Sequence, residues 1–396
     1  MLLPTDDPIV IASIARTPMG GLQGEFAQLT AAQLGAKAIH GALDRAGVDG
    51  AEVGEVLMGC VLPAGQGQAP ARQASIHGGV PNSVPCSTVN KMCGSGMKTV
   101  MMIANAIASG EITVGVAGGM ESMSNAPYLL PKARSGYRIG HGQVIDHMFL
   151  DGLEDAYEGG LMGNFAELCA EKFEFSRELQ DEYAIESLNR SLAAAKEQFA
   201  DEIVPVSLEL KTGTVVIEKD EQPFKARPEK IPALRPAFKK DGTVTAANAS
   251  SISDGAAAVV MMRMSEAERR GHTPLAKLTA MTSHAQEPAW FTTAPVGALQ
   301  KLMDVTGLDK NHIDLFEINE AFAVVPMAAM EELQLPHEKV NVNGGACALG
   351  HPIGASGTRI IVTLINALRH RGGKVGAAGI CIGGGEATAV SVELIS

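Results

Sequence analysis

Residues Val89 to Gly110 read VNKMCGSGMKTVMMIANAIASG, and the rest of the chain can be interpreted around them. Cys93 stands directly before Gly94-Ser95-Gly96, and apolar residues then recur every three or four positions. These residues are Met97, Val100, Met101, Ala104, Ile107 and Ala108. The spacing predicts a helix that follows Cys93 and ends at Gly110, with the cysteine at its N-terminus.

The position of Cys93 has two interpretations. At a helix N-terminus, the dipole and the unpaired N–H groups stabilise a thiolate, which lowers the thiol pKa and gives a nucleophile at neutral pH. The alternative is a buried structural cysteine beside a closely packed glycine turn, because free cysteines are commonly buried. This stretch alone leaves both interpretations open.

The composition favours two or three domains with an aliphatic core. The chain has 396 residues, more than one ordinary core accommodates, and 46% are hydrophobic while only 4% are aromatic. The net charge of −12 argues against a nucleic acid or an anionic membrane as partner. No apolar run approaches the roughly 20 residues of a membrane span, so no membrane association is expected.

The cysteines and the N-terminal residues predict a cytoplasmic protein. The six cysteines are scattered, without a CxxC pair or a disulfide-like spacing, which is typical of a reducing compartment. The first residues, MLLPTDDPIVIAS, resemble neither a secretory signal nor an arginine-rich transit peptide.

The sequence pattern changes at two points along the chain. Strand-like and helix-like segments alternate in its first and last parts. Between them lies a charged, loop-rich stretch with one long helix, Arg177 to Phe199, capped by Ser176. We predict an N-terminal α/β domain of residues 1–121 and 250–273, an inserted loop domain of residues 122–249, and a C-terminal α/β domain of residues 274–396.

The inserted stretch carries a local excess of positive charge. Between Lys211 and Lys240 there are eight basic and four acidic residues, although the whole chain is acidic. Such a patch suits a phosphorylated ligand. A solvated loop explains it equally well.

The last part of the chain repeats the first. Ser95-Gly96 matches Ser356-Gly357 at an offset of 261 residues, and at the same offset Lys98 meets Arg359. We therefore predict two copies of one α/β domain around a pseudo-two-fold axis. In that arrangement the N-termini of the two glycine-preceded helices converge on one site.

The repeat places a set of polar residues opposite Cys93. His351 lies in a glycine-rich turn before the second helix, Cys381 follows a predicted strand at Val375 to Ala378, and Asn319 follows another at Ile313 to Glu317. We expect His351 and Cys93 to form a thiolate–imidazolium pair and Cys381 to transfer a proton. Backbone N–H groups of glycine turns supply oxyanion holes. This set suits acyl transfer through a thioester and carbon–carbon chemistry beside a carbonyl.

Metal and nucleotide chemistry are not expected. Cys93, His351 and Cys381 lack the paired spacing of a structural zinc site. The sequence has neither a GxxxxGK[ST] loop nor a GxGxxG after a strand.

Five motifs together resemble the thiolase family, of the acetyl-CoA acetyltransferase type. They are Asn90–Gly96, Gly118–Ser124, Asn319–Phe322, Gly344–Gly345 with Gly350–Gly354, and Cys381–Gly385. The resemblance covers essentially the whole chain. It implies two αβα domains stacked in five layers, an inserted loop domain that binds coenzyme A, a homotetramer or less often a dimer, and a place in fatty acid metabolism.

The resemblance also implies roles for single residues. Cys93 would take the acyl group, His351 would activate it, and Cys381 would exchange the α-proton of the second acyl-CoA. Asn319, through a water, would complete one oxyanion hole with His351, and the N–H groups of Cys93 and Gly383 would form the other. Ser250 would hydrogen-bond the pantetheine of coenzyme A, which is substrate and product; no permanently bound cofactor is expected.

Two positions depart from the family pattern. In Gly160–Gly163, Leu161 stands where biosynthetic thiolases usually have a histidine that helps to bind the acetoacetyl group. Phe291 stands where the family has a pocket methionine. Leucine cannot hydrogen-bond a 3-keto oxygen. We expect Leu161, Met162 and Phe291 to shape the acyl pocket.

The implied activity is the interconversion of two acetyl-CoA with acetoacetyl-CoA and CoA. One alternative is a 3-ketoacyl-CoA thiolase that prefers broader, longer or branched chains. Another is a non-catalytic carrier of acyl-CoA or lipid on the same fold. A related condensing enzyme would pair its cysteine with two histidines, or with a histidine and an asparagine, and Cys381 argues against it.

Overall fold

A large mixed sheet organises the computed structural model, which describes residues 1–211 and 213–395. Its strands, with those of two small hairpins, are β1 Ile9–Arg16, β2 Gly20–Gly21, β3 Glu55–Gly59, β4 Cys86–Val89, β5 Val114–Ser122, β6 Tyr128–Leu129, β7 Ile145–Asp146, β8 Val206–Leu210, β9 Gly213–Ile217, β10 Ser253–Arg263, β11 Ala276–Ala285, β12 Leu315–Ile318, β13 Val375–Ile382 and β14 Glu386–Leu394.

Helices cover both faces of this sheet. They are α1 Ala31–Ala46, α2 Pro70–His77, α3 Ser95–Ser109, α4 Met162–Lys172, α5 Arg177–Glu197, α6 Glu221–Lys225, α7 Met264–Arg270, α8 Ala294–Thr306, α9 Val324–Leu333, α10 Ala346–Leu349 and α11 Ser356–Arg371.

The two halves of the large sheet repeat one arrangement. In the first half, β3 runs parallel to β5, β5 pairs antiparallel with β10, and β10 pairs with β1. In the second half, β12 runs parallel to β13, β13 pairs antiparallel with β14, and β14 pairs with β11. The halves join where β1 pairs antiparallel with β11. The predicted duplication is therefore confirmed.

Helices α3 and α11 pack against each other and form the middle layer, between the first and the second half of the large sheet. A Cβ atom on Gly357 would lie 2.4 Å from the backbone nitrogen of Met97, and one on Gly96 would lie 2.7 Å from Oγ1 of Thr358. The helices therefore touch through glycine backbone near their N-termini, where a larger residue does not fit. Helices α1 and α2 pack on the outer face of the first half, and α8 and α9 on that of the second. The result is the expected five layers.

The chain between β5 and β10 leaves the large sheet. It contains α4, α5, α6 and the two hairpins. Ser176 caps α5 by accepting a hydrogen bond from the N–H of Leu179, and the helix ends at Glu197, two residues before the predicted end. No helix in the described ranges has both the length and the apolar character needed to cross a membrane.

The end of β13 differs from the prediction. The strand continues beyond Ala378 to Ile382, so Cys381 lies inside it rather than after it. The reason is that β14 pairs with β13 along its whole length, and the turn falls on the glycines Gly383–Gly385. The predicted strand end at Ala378 was wrong.

Candidate active site

One cavity of about 380 Å³ gathers most of the residues singled out in the sequence. Its lining includes Cys93, Leu161, Met162, Ser250, Phe291, His351 and Gly383. Cys381 and Asn319 are fully buried and do not line it. The wall is predominantly apolar, with Phe149, Leu153, Phe238 and Phe322 among its other members. The duplicated halves therefore bring the cysteine and the histidine together, as predicted.

Cys93 sits in a compact turn that leads into α3. The backbone N–H of Lys91 donates to Oγ of Ser95 at 2.8 Å, and this hydroxyl donates to the carbonyl of Met92 at 2.6 Å. Met92 has φ of 47°, a left-handed conformation that is unusual for a side chain of its size. The turn places Cys93 two residues before the first helical residue, Ser95, with its sulfur at the cavity.

Backbone N–H groups point at the Cys93 sulfur. The donors are the N–H of Gly383, from the turn between β13 and β14, and the N–H of Cys93 itself. They lower the thiol pKa, but burial outweighs them and raises it to about 11. The predicted lowering of this pKa was wrong, because the protein around the sulfur at the cavity wall desolvates it and the helix terminus does not offset that desolvation.

Hydrogen bonding fixes the protonation of His351. Its Nδ1 lies 2.5 Å from Oγ of Ser356, and that hydroxyl donates to the carbonyl of Pro352 at 3.0 Å. Because the hydroxyl proton is used there, Nδ1 carries a proton and donates, and Nε2 keeps its lone pair. Nε2 is buried and has no hydrogen-bond partner within the described residues.

The imidazole of His351 is neutral. Burial, and then the positive charge of Arg359, lower its pKa to about 3. The predicted thiolate–imidazolium pair is therefore wrong for the unliganded site, where a thiol faces a neutral imidazole. Such a pair forms only when the histidine takes the thiol proton during reaction.

Cys381 is buried inside β13, close to the Cys93 thiol. Burial, and then the proximity of Cys93, raise its pKa well above the usual range, although an N–H donated by Ala321 acts in the opposite direction. The side chain therefore holds its proton, as an acid requires.

Asn319 follows β12 and presents an unsatisfied amide. Its backbone N–H donates to the carbonyl of Gly379 at 3.0 Å, which fixes the residue beside β13. Both polar atoms of its side chain are buried without a partner in the part of the chain that the structure describes. A buried amide in this state is free to hold a water or a substrate oxygen.

Glu121 is a residue that the sequence analysis did not single out. It is the penultimate residue of β5 and is fully buried. Its carboxylate accepts hydrogen bonds from the N–H groups of Val61 at 2.9 Å, Leu62 at 3.1 Å and Gly354 at 2.9 Å. Burial raises its pKa to about 7. It ties the loop that follows His351 to the first half. Its signal in the sequence was a charge within the small-residue run Gly118–Ser124.

A second cavity, of about 320 Å³, adjoins the first and shares Ala246 and Ser251 with it. Three of the eight basic residues from the charged stretch line it, namely Lys225, Arg227 and Lys230. The described residues hold no group of three or more His, Cys, Asp or Glu side chains placed to bind a metal ion.

Comparison with known proteins defines the class. The family model "Thiolase, N-terminal domain" matches residues 9–265, and "Thiolase, C-terminal domain" matches residues 272–394. The chain therefore belongs to the thiolase family.

Individual relatives match over nearly the whole chain. It is 51% identical to acetyl-CoA acetyltransferase 2 of Arabidopsis thaliana, over 98% of this chain and 97% of the relative. It is 49% identical to the acetyl-CoA acetyltransferase of Escherichia coli (strain K12), over 98% and 99%. The crystal structure of Acat5 thiolase from Ascaris suum in complex with coenzyme A matches with a TM-score of 0.93 and 43% identity, covering 98% of this chain and all of that one.

Proposed function

We propose that this protein is an acetyl-CoA acetyltransferase, which interconverts two acetyl-CoA with acetoacetyl-CoA and CoA through an acyl group on Cys93. The observation that carries the proposal is the meeting of Cys93, His351 and the Gly383 N–H at one apolar cavity, with the Cys381 thiol behind it. The names of the relatives point to the same activity.

In the cleavage direction, Cys93 attacks the 3-keto carbon of acetoacetyl-CoA while its proton passes to Nε2 of His351. The bond between C2 and C3 breaks, and its electron pair leaves as the enolate of acetyl-CoA. Cys381 donates its proton to C2 of that enolate. The acetyl oxygen faces the N–H groups of Cys93 and Gly383, and the enolate oxygen faces His351 and a water held by Asn319.

The second half-reaction restores the site. The thiol of CoA gives its proton to Cys381, and its sulfur attacks the acetyl group on Cys93. Cys93 leaves and recovers the proton held by His351, so both cysteines end as thiols. Condensation runs through the same steps in reverse, with Cys381 removing the α-proton of the second acetyl-CoA.

The two adjoining cavities suit the two ends of coenzyme A. The pantetheine arm would occupy the apolar cavity beside Ser250, and the phosphates would lie near Lys225, Arg227 and Lys230 in the second. The Ascaris suum thiolase was solved in complex with coenzyme A, which supports coenzyme A as the ligand of this fold. Coenzyme A is then substrate and product, with no permanently bound cofactor.

The domain division, assembly and location stay predictions. We propose the three domains set out above, a homotetramer, and a cytoplasmic role in fatty acid metabolism. Assembly is supported by the edge strand β4 and by the hairpin of β6 and β7, whose connecting loop exposes Ile139 at 96%. Light scattering after gel filtration tests the tetramer, and a monomer would contradict it.

The test of the activity is Cys93→Ala assayed by thiolysis of acetoacetyl-CoA. We expect a loss of at least about 10³-fold in kcat, because Cys93 is the group that accepts the acyl group in this mechanism. The matched control is Cys86→Ala, another half-buried free cysteine, which lies outside the cavity and should keep wild-type turnover. Unchanged turnover in Cys93→Ala would refute the proposal.

A further inference from the structure

An ion pair joins the two segments that form the Cys93 oxyanion hole. Lys91 lies two residues before Cys93, and Glu386 directly follows the glycine turn Gly383–Gly385; their side chains form a salt bridge. These side chains are 24% and 38% exposed, so the pair contributes little to global stability. Neither residue takes part in the reaction steps proposed above.

The segment that precedes Glu386 is a glycine turn, and its far end is held by the N–H of Gln286, which donates to the carbonyl of Gly385 at 2.8 Å. The turn has three consecutive glycines, with φ of 96° at Gly384 and 86° at Gly385, and glycine loses more backbone freedom on ordering than any other residue. Yet the first of these glycines carries the N–H that donates to the Cys93 sulfur. A donor on such a turn needs fixed neighbours to stay within hydrogen-bond distance.

The salt bridge lies beside two other contacts between the two segments. Besides the salt bridge and the donated N–H, Gly94 packs against Ile382, where an added Cβ atom would lie 2.4 Å from Cδ1 of the isoleucine. The salt bridge is the one charged contact among these three, and it spans 295 residues of sequence.

We propose that Lys91 and Glu386 form a clasp that holds the Gly383 N–H at the Cys93 sulfur, which makes both of them positioning residues for the oxyanion hole. The expected effect on turnover rests on the proposed function, whereas the placement of the Gly383 N–H at the Cys93 sulfur does not. Opening the clasp withdraws the N–H donor from the sulfur, so the thiolate and the transition-state oxyanion both lose stabilisation.

Alkylation by iodoacetamide tests the clasp without any catalysis. Its rate against pH, followed on the Cys93 peptide by mass spectrometry, gives the apparent pKa of the thiol. We expect Lys91→Met and Glu386→Gln each to raise this pKa by about half a unit or more, because each loosens the N–H donor. A plain charge effect predicts opposite signs, since removing the negative charge of Glu386 would lower the pKa of a nearby thiol.

The kinetic arm uses thiolysis of acetoacetyl-CoA. Each single variant should lower kcat about tenfold and leave the KM for CoA within about twofold, because the oxyanion is stabilised mainly in the transition state. The exchange variant Lys91→Glu with Glu386→Lys should recover most of both losses. Lys277→Met, which breaks another half-buried ion pair, with Glu393, far from Cys93, is the matched control and should change neither readout.

Three results would overturn the clasp. One is an unchanged pKa and kcat in both single variants, another is a pair of pKa shifts with opposite signs, and the third is an exchange variant that recovers nothing. If the wild-type protein fails to cleave acetoacetyl-CoA, the proposed function is refuted instead, and alkylation still decides on the clasp.

Discussion

His351 is prepared as a base by one hydroxyl group. The Ser356 hydroxyl accepts a hydrogen bond from Nδ1 and donates one to the carbonyl of Pro352, so the lone pair stays on Nε2. Burial keeps the imidazole neutral, with its pKa lowered to about 3. The imidazole is therefore unprotonated throughout the physiological range, and its Nε2 lone pair is open to a proton donor at the site.

The protonation of Cys93 predicts a pH dependence of its reactivity. Burial raises the pKa of this thiol to about 11. The fraction present as thiolate therefore increases as the pH rises toward that value. We expect the rate of alkylation of the unliganded protein by iodoacetamide to rise about tenfold per unit between pH 7 and pH 9. A plateau that begins below pH 7 would show a lowered thiol pKa and contradict this environment.

Leu161 lines the cavity, and the sequence resemblance places it where biosynthetic thiolases are expected to have a histidine. Leu161→His introduces a donor for the 3-keto oxygen, so we expect the KM for acetoacetyl-CoA to fall about threefold. Leu161→Met, which adds no N–H or O–H donor, is the control and should leave the KM unchanged. A KM for the histidine variant equal to that of the methionine variant would show that residue 161 does not reach the keto group.

At the scale of elements, the contact between α3 and α11 holds the site in one place. Each helix begins beside the other, and the glycines at their starts allow the backbones to touch. The repeat in the sequence predicted that the N-termini of these helices converge, because Ser95-Gly96 and Ser356-Gly357 occupy equivalent places in the two halves, but it did not predict the contact between the glycines. Small residues at both helix starts are what close approach requires.

The closeness of this contact can be tested by adding one methyl group. Gly357→Ala places a Cβ atom 2.4 Å from the backbone nitrogen of Met97, which cannot move without shifting α3. We expect the free energy of unfolding to fall by about 2 kcal/mol, measured by urea denaturation. Met102→Ala, on the solvent side of α3, should cost less than about 1 kcal/mol. Equal costs for the two variants would contradict the close approach.

One strand boundary could not be predicted from the sequence pattern. The strand at Val375 was predicted to end at Ala378, but pairing with β14 extends it to Ile382 and buries Cys381 within it. Strand length here depends on a partner that follows in the chain, and a glycine such as Gly379 inside a strand looks like a strand end when read alone.

At the scale of the whole molecule, it was easier to predict which residues meet at the site than to predict the surroundings that set their pKa values. The duplication and the motifs were enough to place Cys93 and His351 at one cavity. The thiol pKa of Cys93 was predicted in the wrong direction, because it depends on how strongly the surrounding protein desolvates the sulfur. The carboxylate of Glu121 and the pair of Lys91 with Glu386 depend on contacts between distant parts of the chain, which no local pattern encodes.

The proposed reaction requires an acyl group carried by the sulfur of Cys93. The direct measurement is mass spectrometry of the wild-type protein after brief incubation with acetyl-CoA, acid quenching and proteolysis. We predict one added acetyl group, on the peptide that contains Cys93, and its removal when CoA is added before the quench. A protein that stays unmodified under turnover conditions, or that carries the acetyl group on another residue, would contradict the account.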